Sequence, residues 1–242
     1  MRKEKILAPT IYIEQVKESN SLKGVYLETF LRNYQLNPNL SKDWNIHTDF
    51  HKNSKPLVKG YDYSEADDPE NEINSSEYNP CFDNRNANNN QDTLIEPVDF
   101  DIASKVYSRY INNFLSSLDL GIGPNDWEFA GDLWYNVYGK GQLAELHTHI
   151  GHSFSLVHFM KFEKGLHSPI VFVDVWSGDE FSPDISEGDL LMFPSHIKHK
   201  VPPNAIEDLR ISIAFNIFVK NDPDLEVNIK KKQRVARHGS RG

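Results

Sequence analysis

Two short histidine motifs contain the residue types and spacing of a metal site. Residues 141–149 read G-Q-L-A-E-L-H-T-H, and residues 193–201 read F-P-S-H-I-K-H-K-V. Because a strand directs residues i and i+2 to one face, His147 and His149 can point two imidazoles at the same ion. His199, near the start of a later predicted strand, is the expected third ligand. Three imidazoles leave coordination positions open, as catalytic metal sites do and closed structural sites do not.

The other histidines are interpreted as satisfying local hydrogen bonds. Three of them lie near the predicted ligands in the sequence and are alternative candidates for metal ligands. The other four lack neighbouring residues that would indicate a site. The first group is His152, His158 and His196, and the second is His47, His51, His167 and His238.

The last predicted strand, 209–219, has one apolar and one polar face. The apolar face is Ile211, Ile213, Phe215, Ile217 and Val219, and the other is Arg210, Ser212, Ala214, Asn216 and Phe218. A buried arginine is costly unless it meets an anion, so Arg210 beside Ser212 predicts a carboxylate-binding site. The alternative is a salt bridge from Arg210 to an internal Asp or Glu.

The region from 132 to 220 consists of short apolar segments separated by Gly, Pro and Asp, which predicts a β-barrel or sandwich. The expected strands are 132–138, 143–149, 153–162, 169–175, 179–182, 189–193, 197–202 and 209–219. Trp134, Asn136 and Tyr138 share one side of the first strand, where they either fill the core or form a second wall of the site.

The residues before this region are expected to form helices and two further strands. Apolar spacing predicts helices over Leu22–Tyr34 and Ile102–Leu118, the second with Asp99 or Asp101 as its cap. Strands are expected over 9–16 and 44–50.

Composition and charge narrow the class of protein. The 242 residues, 38% of them hydrophobic, suffice for one sizeable core. A formal net charge of -9 argues against a general nucleic-acid binder. Residues 62–92 hold nine acidic side chains against Arg85, which predicts a polar loop, whereas residues 230–241 hold six basic side chains and no acidic one. We interpret that basic tail as solvated, with contact to RNA, an anionic surface or a partner as the alternative.

A single cysteine, Cys81, excludes an internal disulfide and fits a reducing compartment. The first residues lack the apolar core of a signal peptide, and no stretch approaches the roughly 20 apolar residues of a membrane span. The expected location is the cytoplasm, with no membrane association.

Taken together, these motifs resemble those of a known enzyme superfamily. H-x-H, a distal histidine and R-x-S eleven residues after it resemble the iron(II)/2-oxoglutarate-dependent dioxygenase superfamily. W-Y-N-V-Y-G-K-G, H-T-H, E-G-D-L-L-M-F-P-S-H-I-K-H and R-I-S-I-A-F-N more narrowly resemble the 2-oxoglutarate–Fe(II) oxygenases of marine bacteria and phages, over about 134–219. The resemblance implies a mainly β (α+β) fold, a double-stranded β-helix (jelly-roll, cupin-like) barrel with flanking N-terminal helices.

The expected organisation follows that fold. Residues 1–60 form a strand and helix extension packed on the barrel, 61–92 an acidic loop, 93–220 the oxygenase domain with its leading helix, and 221–242 a basic tail. The oligomeric state is left open, with a homodimer among the options.

The resemblance also implies cofactors and residue roles. Fe(II) and 2-oxoglutarate are the expected cofactors, with His147 and His199 as iron ligands. Arg210 and Ser212 would clamp the distal carboxylate of 2-oxoglutarate, and Asn136 or Tyr138 would support it. The implied reaction consumes dioxygen, hydroxylates a C–H bond of a small-molecule or peptidyl substrate that the sequence does not name, and releases succinate and CO₂.

One position departs from the superfamily. An Asp or Glu is usual where this chain has His149, so the expected ligands are three neutral imidazoles and Fe(II) binding should be weaker. Glu145, two residues before His147, restores a carboxylate only if the site shifts by one pair. A three-histidine cupin-type dioxygenase that binds an anionic substrate directly on Arg210, without 2-oxoglutarate, is an alternative. A catalytically silent barrel used as a binding module is another.

Overall fold

A computed structural model of the chain describes residues 11–40, 46–49, 95–118, 120–131, 133–174 and 177–220. The predicted acidic loop and basic tail lie outside these residues, as do Cys81, His51 and His238. Within the described part there are two helices, α1 (Ser19–Leu36) and α2 (Asp101–Ser117). The strands are β1 (Tyr12–Gln15), β2 (His47–Thr48), β3 (Trp127–Phe129), β4 (Trp134–Tyr138), β5 (Ala144–His147), β6 (Phe154–Lys161), β7 (Val171–Val173), β8 (Glu180–Phe181), β9 (Asp189–Pro194), β10 (His199–Val201) and β11 (Arg210–Val219).

The strands form two antiparallel sheets. The larger has the order β1-β9-β6-β11-β4-β2, with β3 also paired to β11, and the smaller has the order β5-β10-β7-β8. Phe172 of the smaller sheet packs edge-on against Phe193 of the larger, with 4.9 Å between ring centroids. The predicted mainly β class is confirmed. Closure of the predicted barrel is not detected among the described residues, whose strand pairings form two separate sheets.

The two helices pack on the outer face of the larger sheet. The apolar face of β11 joins residues of α1 and α2 in one buried cluster. Tyr107 of α2 stacks on Phe215 of β11 at 4.8 Å between ring centroids. Each apolar side chain of this cluster contributes about 1.5–3 kcal/mol to the stability of the fold when it is fully buried. This packing leaves the polar face of β11 turned toward the smaller sheet. Neither described helix is long and apolar enough to cross a membrane.

The start of α2 differs from the prediction. The cap position is Phe100, although Asp99 Oδ1 accepts the main-chain N–H of Asp101 at 2.9 Å. Ile102, the first apolar residue of the spacing that predicts this helix, is 52% exposed, whereas Ala103 is fully buried. The helix is therefore rotated slightly from the orientation that apolar spacing indicates.

His158 of β6 lies on this helix-facing side and should make stability depend on pH. Its ring bonds Tyr107 Oη at 2.8 Å and Ser19 Oγ at 3.2 Å. Burial, with a contribution from the charge of Lys23, lowers the pKa of His158 from 6.5 to about 3. As pH falls below 6.5 the unfolded chain takes up this proton and the folded chain does not. The stabilisation is thus complete above pH 6.5 and lost toward pH 3, by about 1.4 kcal/mol per pH unit.

Urea denaturation between pH 7 and pH 4 measures this effect. We expect the free energy of unfolding of wild type to fall more steeply with decreasing pH than that of His158→Gln. Equal pH slopes in the two proteins would contradict the assignment, whatever their absolute stabilities.

Candidate metal centre

Three histidines meet between the two sheets. His147, His149 and His199 each present a ring nitrogen, and these atoms all lie within 4.8 Å of one another. His147 ends β5 and pairs in register with His199 at the start of β10. His149 follows β5 and is held by its main-chain N–H, which donates to the Ser195 carbonyl at 2.9 Å. One metal ion can bind all three imidazoles at this spacing.

The strand carrying the first histidine is irregular. His147 pairs with His199 and Ala144 with Val201, so β5 uses one residue more than β10 between the two pairs. This bulge brings both Ala144 and His147 to the cavity. The simple alternation predicted for 143–149 is therefore wrong, and Glu145, which is exposed, does not belong to the cluster.

Main-chain carbonyls orient two of the rings. His147 Nδ1 donates to the Glu145 carbonyl at 2.6 Å, and His199 Nδ1 donates to the Ile197 carbonyl at 2.9 Å. A proton on Nδ1 makes Nε2 the nitrogen that can bind a metal. The third ring differs, because His149 Nδ1 lies 3.4 Å from Asn216 Nδ2.

Burial keeps the cluster uncharged near neutral pH. It lowers the pKa of His199 to about 3, with the charge of His147 adding to the effect. Burial also lowers the pKa of His147, and that of His149 falls well below its usual value. Neutral imidazoles are the form that a metal ion requires.

The remaining described histidines do not join the cluster. His152 is half-buried and its Nδ1 bonds the His149 carbonyl, whereas His196 is exposed. His47 bonds the Asn37 carbonyl and Tyr135, and His167 lies 3.3 Å from an Asp208 carboxylate oxygen.

Arg210 is buried without an anionic partner in the described part of the chain. It is 1% exposed, and its Nε and Nη1 atoms have no hydrogen-bond acceptor there. Its Cζ lies 4.6 Å from the Tyr138 ring centroid and 5.3 Å from that of Phe159. No described carboxylate forms an ion pair with it, so the salt-bridge alternative is not observed in these residues. Two unmet donors on a buried guanidinium fit a carboxylate ligand.

The register of the larger sheet places the other predicted residues beside Arg210. Across β11 and β4, Arg210 faces Tyr138 and Ser212 faces Asn136. These four side chains and the three histidines line one cavity of about 80 Å³, several times the roughly 10–15 Å³ that one water needs. Most other lining residues are apolar, and sequence reasoning had not placed them there: Ile46, Val157, Ile170 and Val201.

Comparison with known proteins agrees with this site. Residues 132–216 match the family model described as "Putative 2OG-Fe(II) oxygenase". The matched segment contains all three histidines, Arg210 and Ser212. No curated protein matches the chain.

Solved structures of similar shape include several oxygenases. A Pseudomonas putida prolyl-4-hydroxylase is 18% identical with a TM-score of 0.39, and the match covers 52% of this chain and 70% of that one. A 2OG-Fe(II) oxygenase family oxidoreductase from Burkholderia pseudomallei is 13% identical with a TM-score of 0.41, over 53% and 59% of the two chains. The viral collagen prolyl hydroxylase of Paramecium bursaria Chlorella virus-1 is 14% identical with a TM-score of 0.37, over 51% and 75%.

Proposed function

We propose that this chain, whose residues 132–216 match the family model described as "Putative 2OG-Fe(II) oxygenase", is a non-haem dioxygenase that hydroxylates a C–H bond of its substrate. The family match implies Fe(II) and 2-oxoglutarate as cofactors. The observation that carries the proposal is one cavity lined both by the three-histidine cluster and by buried Arg210 with its unmet donors. The two facing sheets would be the halves of a double-stranded β-helix.

The donor set fits both cofactors. His147, His149 and His199 would hold Fe(II), and Arg210 with Ser212 would bind the distal carboxylate of 2-oxoglutarate. Bound together, the cofactors supply dioxygen activation and two electrons, so that substrate C–H, O₂ and 2-oxoglutarate give C–OH, succinate and CO₂. The histidines leave coordination positions open for this chemistry.

The surrounding residues would orient the co-substrate and exclude water. The rings of Tyr138 and Phe159 flank the guanidinium of Arg210 and restrict its movement. Burial raises the pKa of Tyr138, so its hydroxyl stays protonated and can donate a hydrogen bond. Asn136, opposite Ser212, offers an amide to the same ligand. The apolar lining strengthens each of these electrostatic contacts by lowering the local dielectric.

A second function is favoured by one feature: within the described part of the chain, no carboxylate joins the histidine cluster. Three imidazoles are also the donor set expected of a cupin-type dioxygenase, in which Arg210 would hold an anionic substrate directly. That enzyme would not convert 2-oxoglutarate to succinate. Succinate formation under air therefore separates the two functions.

Anaerobic titration tests the proposal directly. Adding 2-oxoglutarate to the Fe(II)-loaded protein should produce a weak visible charge-transfer band that saturates at one equivalent per chain. Succinate should form when dioxygen is admitted. Failure to retain Fe(II), together with no such band, would refute the proposal.

A further inference from the structure

The three histidines of the cluster differ in what orients them. Two are held by main-chain carbonyls, which can only accept a hydrogen bond and so assign the proton to Nδ1. His149 instead faces the side chain of Asn216, whose amide carries both a donor and an acceptor. A carboxylate ligand binds a metal ion without any choice of tautomer. An imidazole binds only through the nitrogen that carries no proton, so the tautomer of His149 matters.

Two hydroxyl groups support the amide from behind. Ser155 Oγ donates to Asn216 Oδ1 at 2.7 Å and lies 2.8 Å from Ser195 Oγ. The carbonyl of Ser195 accepts the main-chain N–H of His149, so the network begins and ends at this histidine. All four residues are at most 9% exposed, which leaves little room for water to replace these contacts.

The network can serve His149 in either direction. Metal binding through Nε2 puts the proton on Nδ1, which then needs an acceptor. A half-turn of the Asn216 amide presents Oδ1 to that proton and Nδ2 to Ser155. Ser155 then accepts from Nδ2 and donates to Ser195, since either hydroxyl can be the donor. Every group keeps a partner in both amide orientations.

We infer that Asn216, supported by Ser155 and Ser195, is a positioning residue that holds the ring of His149 in place and accepts its Nδ1 proton when Nε2 binds a metal ion. The inference rests on the proposed function, because it concerns the same metal centre. It adds a residue that acts through a ligand without touching the ion.

Co(II) binding by the full chain tests the role. Asn216→Leu should lower the Co(II) affinity by about 10–100-fold, the usual loss when a ligand's outer hydrogen bond is removed. It should also change the visible Co(II) spectrum. Asn216→Asp should keep wild-type affinity or exceed it, since a carboxylate accepts from Nδ1–H in either orientation. Wild-type affinity in Asn216→Leu, or equal losses in both variants, would overturn the inference.

Two further variants and the wild-type protein separate positioning from general stability. Asn33→Leu removes another buried amide, bonded to Glu96 and Tyr135, and should leave Co(II) binding unchanged. If Asn216→Leu does not fold, Ser155→Ala replaces it, with a smaller loss of affinity expected and unchanged affinity counting against the inference. If wild type itself binds no Co(II), the proposed function falls and the inference with it. If wild type and all variants bind equally, only the inference falls.

Discussion

Replacing His199 with alanine is expected to lower Fe(II) affinity by more than about 100-fold, because outer hydrogen bonds to a ligand are already worth 10–100-fold. His199 is 4% exposed and lies directly opposite His147 in the β10–β5 pair. Its removal leaves two ligands that are two residues apart in sequence and none on β10. Metal content after dialysis and anaerobic Fe(II) titration measure the loss, and succinate formation should disappear with it.

His196→Ala is the matched control for this change. His196 lies three residues earlier in the same motif, but it is exposed and outside the cluster. The His196→Ala variant should bind Fe(II) and form succinate as the wild-type protein does. An unaffected His199→Ala variant would exclude the proposed centre. Metal binding by wild type without any succinate would instead favour a binding module that kept the site but not the reaction.

The strand that carries Arg210 could be predicted because its signal is long and local. The ten residues of β11 alternate between an apolar face in the core and a second face, of which Arg210, Ser212 and Ala214 line the cavity. A period of two over that length fixes which side chains lie together, since a shift by one residue would bury the wrong set. The sequence therefore placed Arg210, Ser212 and Asn216 on one face without knowledge of any partner strand.

The histidine pair could be predicted only in part. The strand assigned to 143–149 stops at His147 and contains a bulge, which arises from pairing with β10 and has no local sequence signal. His149 still joins the cluster, through its main-chain bond to Ser195 rather than by strand alternation. β3, with only three residues, was too short to show a pattern.

Contacts made by residues outside the recognised motifs could not be predicted from the sequence. Asn216 was assigned to the polar face of its strand, yet its position beside His149 depends on how the two sheets meet. The same holds for Ile46, which lies far from the motifs in sequence and lines the cavity. The pairing of strands determines where such residues lie, and the periodicity of the sequence carries no information about that pairing.

Replacing Arg210 with methionine should have opposite effects on ligand binding and on stability. Loss of one partner of a buried charge pair costs about 2–5 kcal/mol, so 2-oxoglutarate should bind about 30-fold to several thousand-fold more weakly. The cofactor-free protein should be at least as stable as wild type, because Nε and Nη1 of Arg210 have no acceptor in the described part of the chain. Anaerobic titration with 2-oxoglutarate and urea denaturation without cofactors measure the two effects.

The opposite signs distinguish a ligand-binding arginine from a structural one. If Arg210 held an internal carboxylate, methionine would leave that charge buried and unpaired, and stability would fall by about 3–5 kcal/mol. Arg210→Lys should bind 2-oxoglutarate with intermediate affinity, since it keeps the charge but loses the two-pronged geometry. Arg32→Met, which removes an exposed arginine of α1 that pairs with Glu96, should change neither measurement appreciably. Unchanged 2-oxoglutarate binding in Arg210→Met would remove the basis for assigning this co-substrate to the cavity.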